Sequence, residues 1–136
     1  MYKTKTNLRV RYAETDRMSY VYYGNYAIYF EVARVESMKG IGMSYKELED
    51  SGIMMPVLEY NIKYFKPAFY DDELIIETRI EKDPTVRIRF DYETYNTKGE
   101  HLNSAFTTLV FVDTKTGKPI TAPDDFLARL KAAKNA

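Results

Sequence analysis

No cysteine occurs in the 136 residues, which removes disulfides, thiolate nucleophiles and sulfur-ligated metal sites together. A single histidine, His101, leaves no His-rich metal cluster and no spare imidazole for a Ser-His triad. Net charge is missing too: 20 basic and 20 acidic residues cancel. No global field therefore draws the chain to nucleic acid or an anionic membrane, and any anion site must be local. No apolar run approaches the roughly 20 residues of a membrane span, and the N-terminus MYKTKTNLRV lacks the apolar core of a signal peptide. These absences lead us to expect a cytoplasmic protein with no metal, nucleic acid or membrane as partner.

Tyrosine is what the chain has in excess, with 13 residues and no tryptophan. Rings that are apolar with a polar tip suit half-wet pockets and interfaces. The length suits one domain over residues 1–136.

The first residues alternate, with Leu8, Val10 and Tyr12 opposite Asn7, Arg9 and Arg11, which reads as a half-buried strand over residues 4–15. A tyrosine-dense, glycine-broken segment follows. From about residue 25 to 39, Tyr26, Phe30, Ala33 and Ser37, with Ala27, Arg34 and Met38 alongside, recur at helical spacing. Asn25 reads as the N-cap, and Gly40 and Gly42 stop the run. Ser44, with Glu47 three places on, opens a short helix to Asp50.

The period then changes to two. Leu58, Tyr60, Ile62 and Tyr64 alternate with polar neighbours, as do Leu74, Ile76, Thr78 and Ile80, and then Val86, Ile88, Phe90 and Tyr92. The last strand is read on the phase of Leu102, Ser104, Phe106, Thr108, Val110 and Val112. A terminal helix spans about Asp124–Ala133. Tight turns at Asp83-Pro84 and Asn96–Gly99 argue for an antiparallel sheet, with the long helix laid across its apolar face. The expected class is α+β, five antiparallel strands around one long central helix.

That arrangement is the hotdog fold, and the segment DRMSYVYYGNYAIYFEVAR (Asp16–Arg34) resembles the signature of the 4-hydroxybenzoyl-CoA thioesterase family, including its acyl-CoA thioesterase branch. The resemblance extends to KYFKPAFYDDEL (Lys63–Leu74), RIRFDYE (Arg87–Glu93) and FVDTKTGKP (Phe111–Pro119). Ser19 stands where many members have glycine, and Tyr23 where many have histidine and others tyrosine. The resemblance implies an acyl-CoA thioester hydrolase without a cofactor, assembled as a homodimer or homotetramer with sites between subunits. It implies Asp16 as the catalytic carboxylate and the backbone N–H of Tyr23 as the donor to the thioester oxygen.

Physical chemistry agrees with that placement. A helix N-terminus supplies oriented donors and partial positive charge, and one oxyanion donor is worth about 10²–10³ in rate. Asp16 can act as a nucleophile or, if burial makes it hold a proton more firmly, as a general base. Equally, aspartate in such a turn is often only structural. Tyr22, Asn25 and Tyr26 are candidates for the pocket wall. Lys66 and Arg87, with Lys63 and Arg89, are candidates for the coenzyme A phosphates or for cross-strand pairs with Glu59, Glu77, Asp91 and Glu93. Glu31 is a minor catalytic candidate or a partner of Arg34, and His101 reads as a solvated turn residue. The alternatives are an acyl-carrier-protein thioesterase, a non-catalytic acyl-thioester binder, or a hydratase, which the lone histidine disfavours.

Overall fold

The computed structural model describes residues 1–135. In chain order the elements are β1 (Tyr2–Arg9), a 3-10 turn (Tyr12–Glu14), α1 (Asn25–Gly40), α2 (Tyr45–Asp50), β2 (Ile53–Met54), β3 (Val57–Tyr64), β4 (Glu73–Ile80), β5 (Arg87–Asn96), β6 (His101–Val110), β7 (Val112–Asp113) and α3 (Asp124–Lys134). Five strands form one antiparallel sheet in the order β1-β4-β5-β6-β3, and β2 pairs with β7. This is the expected hotdog fold.

α1 crosses that sheet because its inward stripe is aromatic and small. Phe30 is fully buried and stacks on Tyr92 of β5 at 4.6 Å. Tyr26 meets Tyr64, and Phe30 meets Tyr60, both on β3. At the other side Tyr2 of β1 donates its hydroxyl to the Ser37 carbonyl at 2.9 Å. Burying a phenylalanine of this kind contributes about 1.5–3 kcal/mol. Tyr29 is buried on the same stripe, although the sequence reading omitted it, whereas Ala27 faces out.

Several expectations need correction. The first strand ends at Arg9, and Tyr12 is exposed in a turn, because Glu14 folds back to accept from the Arg11 backbone at 2.8 Å and guanidinium at 2.9 Å. Gly24, not Asn25, precedes the helix. The Asn25 side chain instead donates to the Glu14 carbonyl at 2.8 Å. The phase read for β6 is inverted from Asn103 to Leu109, while Val110 and Val112 are buried as read. Asn103, Ala105, Thr107 and Leu109 point inward, and Ser104, Phe106 and Thr108 are half-exposed. A register shift where Tyr95 pairs with His101 and Thr94 with Asn103 puts two residues against one at Leu102 and flips the alternation.

Buried polar groups are concentrated under α1. The Arg34 guanidinium turns inward to the hydroxyls of Tyr92 at 3.1 Å and Tyr45 at 3.3 Å, leaving Glu31 outside and unpaired with it. The Thr4, Thr6, Ser37, Thr78 and Thr94 hydroxyls are buried without a hydrogen-bond partner among the described residues, and the Asn103 amide is fully buried beside the Tyr26 hydroxyl.

Candidate active site

The segment between β1 and α1 is pinned by backbone pairing on both sides. Tyr22 N–H donates to the Glu14 carbonyl at 2.8 Å and Val21 N–H to the Ala68 carbonyl at 2.9 Å. Between those ties Asp16, Arg17, Met18 and Ser19 make a reverse turn, with Asp16 N–H to the Tyr20 carbonyl at 2.8 Å and Ser19 N–H to the Asp16 carbonyl at 3.0 Å. Closing it requires a left-handed residue, and Ser19 takes that place at φ +67. This accounts for glycine being the common residue there. The Asp16 Oδ1 accepts from the Met18 N–H at 2.8 Å, so the carboxylate is anchored to its own turn, with the side chain exposed.

A pocket of about 340 Å³ opens beside this turn, at the N-terminus of α1. Asp16, Tyr23, Tyr26 and Lys66 line it, together with Tyr20, Val21, Tyr64, Phe65 and Pro67. Tyr23 lies two residues before the helix, and neither its N–H nor that of Gly24 donates to another backbone atom. The Tyr22 ring lies over Gly24, where a Cβ would approach its Cε2 to 2.7 Å, so glycine is required for that contact. Burial is the main cause that pushes the Tyr26 hydroxyl up to about 12, and the neighbouring Tyr64 adds to it. Tyr26 is therefore a neutral phenol at physiological pH.

Of the residues singled out from sequence, Asp16, Tyr23, Tyr26 and Lys66 come together here. Tyr22 and Asn25 do not line the pocket: one covers Gly24 and the other ties the helix start to Glu14. Lys66 meets Glu100 at 2.6 Å as well as facing the pocket. Arg87 begins β5 and does not line the pocket. Arg89 pairs with Asp91 at 3.0 Å on its own strand and lies over the Phe106 ring at 3.9 Å. Glu31 is exposed on α1 away from the pocket.

His101 is not a solvated turn residue. It opens β6 half-buried, with Nε2 2.8 Å from Glu93 and its ring stacked on Tyr95 at 5.0 Å. The hairpin loop closes with the Asn96 N–H on the Glu100 carbonyl at 3.2 Å, so the strand begins at His101. The sequence reading missed Tyr64 and Phe65 as pocket residues. Their signal was the KYFKP run, in which Phe65 and Lys66 N–H groups both turn to the Leu102 carbonyl, at 2.8 and 3.0 Å. No group of His, Cys, Asp and Glu among the described residues is arranged to hold a metal.

Comparison with known proteins follows the same geometry. The family model of the thioesterase-like superfamily matches residues 10–130. The solved structure of a DHNA-CoA thioesterase from Staphylococcus aureus is 37% identical, with a TM-score of 0.89 over 99% of this chain and 95% of that one. A Bacillus subtilis protein, provisionally named an acyl-CoA thioesterase, is 36% identical over 98% of this chain and 100% of its own length. An acyl-CoA thioester hydrolase from Escherichia coli is 30% identical over 91% of this chain and 92% of its own. With the family model matched from the end of β1 into α3 and the relatives covered almost end to end, this chain belongs to the thioesterase-like superfamily.

Proposed function

We propose that this chain hydrolyses acyl-CoA thioesters to the free acid and CoA, with Asp16 as nucleophile and the backbone N–H groups at the head of α1 as the donors to the thioester oxygen. The observation that carries this reading is the meeting, in one pocket, of an anchored carboxylate and a helix start whose Tyr23 and Gly24 N–H groups have no backbone acceptor. Such donors, aimed at a developing oxyanion, do the electrostatic part of acyl transfer.

In the nucleophilic course an Asp16 oxygen adds to the thioester carbon and the C–S bond breaks. The CoA thiolate leaves and takes a proton from water. A second water then splits the mixed anhydride into the free acid and protonated Asp16, and the hydroxide left by the first water takes that proton and restores the carboxylate. As a general base, Asp16 would instead activate the water that attacks the thioester carbon, and the adduct measurement below separates the two courses. Lys66 beside the pocket mouth is the group for a CoA phosphate, and Arg87 reaches such a phosphate only if a partner subunit brings it there.

The same reading makes the chain a cytoplasmic homo-oligomer. Among the described residues no helix is long and apolar enough to cross a membrane. β3 is a sheet edge, and Val57, Leu58, Tyr60 and Tyr64 on it are exposed. A contiguous apolar surface of this kind marks an association site, and a second copy of β3 completes the edge.

The test is a thiol-release assay over short, long and aromatic acyl-CoAs and acyl-carrier-protein thioesters, with rapid-quench mass spectrometry for an acyl adduct on Asp16. Hydrolysis of CoA thioesters with a transient adduct is expected. Activity on carrier-protein thioesters alone moves the substrate class, binding without hydrolysis makes the chain an acyl-thioester binder, and turnover with no adduct assigns Asp16 as base.

A further inference from the structure

One wall of the pocket is a short strap with few anchors. After β3 ends at Tyr64, Phe65 and Lys66 both give their N–H groups to a single carbonyl, that of Leu102. Pro67 follows and has no N–H to offer. Phe65 lines the pocket, yet it is 48% exposed. The ring it rests on, at 5.0 Å, is the imidazole of His101, the residue next to Leu102.

Phe65 borders two spaces, the pocket and a groove on the outer face of the sheet lined by Lys63, Arg79, Glu93 and Ser104 among others. A group on the outer face can therefore act on the pocket through this ring. His101 is fixed there more firmly than the strap. Its ring also stacks on Tyr95 at 5.0 Å, and its Nε2 lies 2.8 Å from Glu93 Oε1. The second Glu93 oxygen accepts from Arg79 at 3.0 Å and from the Ser104 hydroxyl at 3.2 Å. With a carboxylate as acceptor, Nε2 carries the proton of the neutral ring, which leaves Nδ1 to take a second one. The side chain is 39% exposed, so water can deliver it.

We propose that His101 is a positioning residue for the pocket: its ring braces Phe65, and braces it more firmly when protonated, so that acyl-CoA binds more tightly once the ring is charged. This rests on the thioesterase reading of the pocket. A protonated imidazole is a cation set against two aromatic rings and beside Glu93, and cation–π attraction draws Phe65 to it. The charges around it come from every neighbouring element. β4 brings Arg79 with Glu77 and Glu81, and β5 brings Glu93 and the Tyr95 phenol. The end of β3 brings Lys63, 6.0 Å from the Phe65 ring, and the strap brings Lys66, held at 2.6 Å by Glu100 of the hairpin. Of these side-chain types only histidine ordinarily changes charge between pH 5 and 8.

The experiment measures kcat and KM for one acyl-CoA from about pH 5.5 to about pH 8 in the wild type, His101→Phe and His101→Gln. His101→Phe keeps a ring against Phe65 but takes no charge. Its KM is expected to exceed that of the wild type by about 2- to 5-fold at the acid end, the size of one exposed cation–π contact, and to match it at the alkaline end. Ionisation of the CoA phosphates is common to all three proteins and cancels in the ratio. His101→Gln keeps a donor to Glu93 but loses the ring, and its KM is expected to be raised at every pH. A residue that only holds the sheet together would lower the melting temperature and kcat in both variants and leave the KM ratio independent of pH.

In untagged protein the single histidine gives one pair of imidazole proton signals, so its titration is read directly by NMR. Coupling is reciprocal: if the proton tightens binding, a bound acyl-CoA thioether, which cannot be hydrolysed, moves the titration midpoint to higher pH. That movement, absent in Phe65→Leu, supports the assignment even if no thioester is turned over, an outcome that would fail only the thioesterase reading. A midpoint that the bound thioether leaves in place, with a KM ratio constant across pH, overturns it and leaves His101 as a rung of the outer sheet face.

Discussion

The carboxylate of Asp16 accepts a hydrogen bond from the backbone N–H of Met18 at 2.8 Å. One oxygen therefore does structural duty in the turn while the other remains for chemistry. The two duties separate by substitution. Asparagine keeps an Oδ1 that accepts from Met18 but is no nucleophile. Asp16→Asn is expected to lower kcat by about 10²–10⁴ with the melting temperature unchanged. Asp16→Ala removes both duties and is expected to show the same loss of rate together with a lower melting temperature. Thiol release and a thermal melt check both.

Ser19 holds φ +67 within that same turn. A left-handed backbone costs a residue with a Cβ about 1–2 kcal/mol, which glycine avoids. Ser19→Gly is expected to stabilise the protein by about 1 kcal/mol, part of the gain being offset by the greater freedom of glycine in the unfolded chain. The midpoint of urea unfolding should rise with an unchanged slope. Activity should be retained, because no contact of the Ser19 side chain is lost.

Much of this molecule was legible because its strands obey a strict alternation. Ile76, Thr78, Ile88, Phe90 and Tyr92 are buried as their period requires. The helix stripe through Tyr26, Phe30, Ala33 and Ser37 is buried too. What the period could not show were its interruptions. The irregularity at Leu102 inverted β6 and hid Asn103, since a polar residue on the supposed outer face raises no question. Tyr12 kept the alternation of β1 but left the sheet, because Glu14 captured the Arg11 backbone locally. His101 looked like a loop residue because its Glu93 partner is eight positions earlier, across a hairpin. In the site, Asp16, Tyr23, Tyr26 and Lys66 could be named from a local motif, whereas Tyr64 and Phe65 join only through the β3–β6 pairing.

Glu14 is the clamp that holds the site segment to the helix. Its Oε1 accepts from the Tyr29 hydroxyl at 2.9 Å, and its carbonyl receives both Asn25 and Tyr22. Burial pushes the Glu14 carboxyl up, but hydrogen bonds from the Arg11 backbone and guanidinium and from Tyr29, with the Arg11 charge, outweigh it and leave the group below its ordinary range. A carboxyl depressed on folding adds stability above its unfolded value, and that stability is lost as pH falls through the folded one. Glu14→Gln is therefore expected to be less stable than the wild type near neutral pH. The difference should shrink once the pH drops below about 4, the ordinary glutamate range. Urea unfolding at pH 7, 5 and 3.5 measures it.

The two edges of the sheet are built differently, and that difference decides how the chain associates. β1 presents Lys3, Lys5 and Arg9 as exposed residues along its length, and edge lysines of this kind discourage pairing. β3 presents Val57, Leu58, Tyr60 and Tyr64 instead. A charge placed in the second surface meets an apolar partner in the assembly but only water in a monomer. Leu58→Asp is thus expected to shift sedimentation from a dimer or larger species to a monomer, while the same change at the β1 edge, Lys5→Asp, leaves the assembly intact. Because Tyr64 belongs both to that surface and to the pocket wall, loss of the assembly should also lower kcat/KM in Leu58→Asp. A monomer that hydrolyses acyl-CoA at the wild-type rate would place the whole site within one chain.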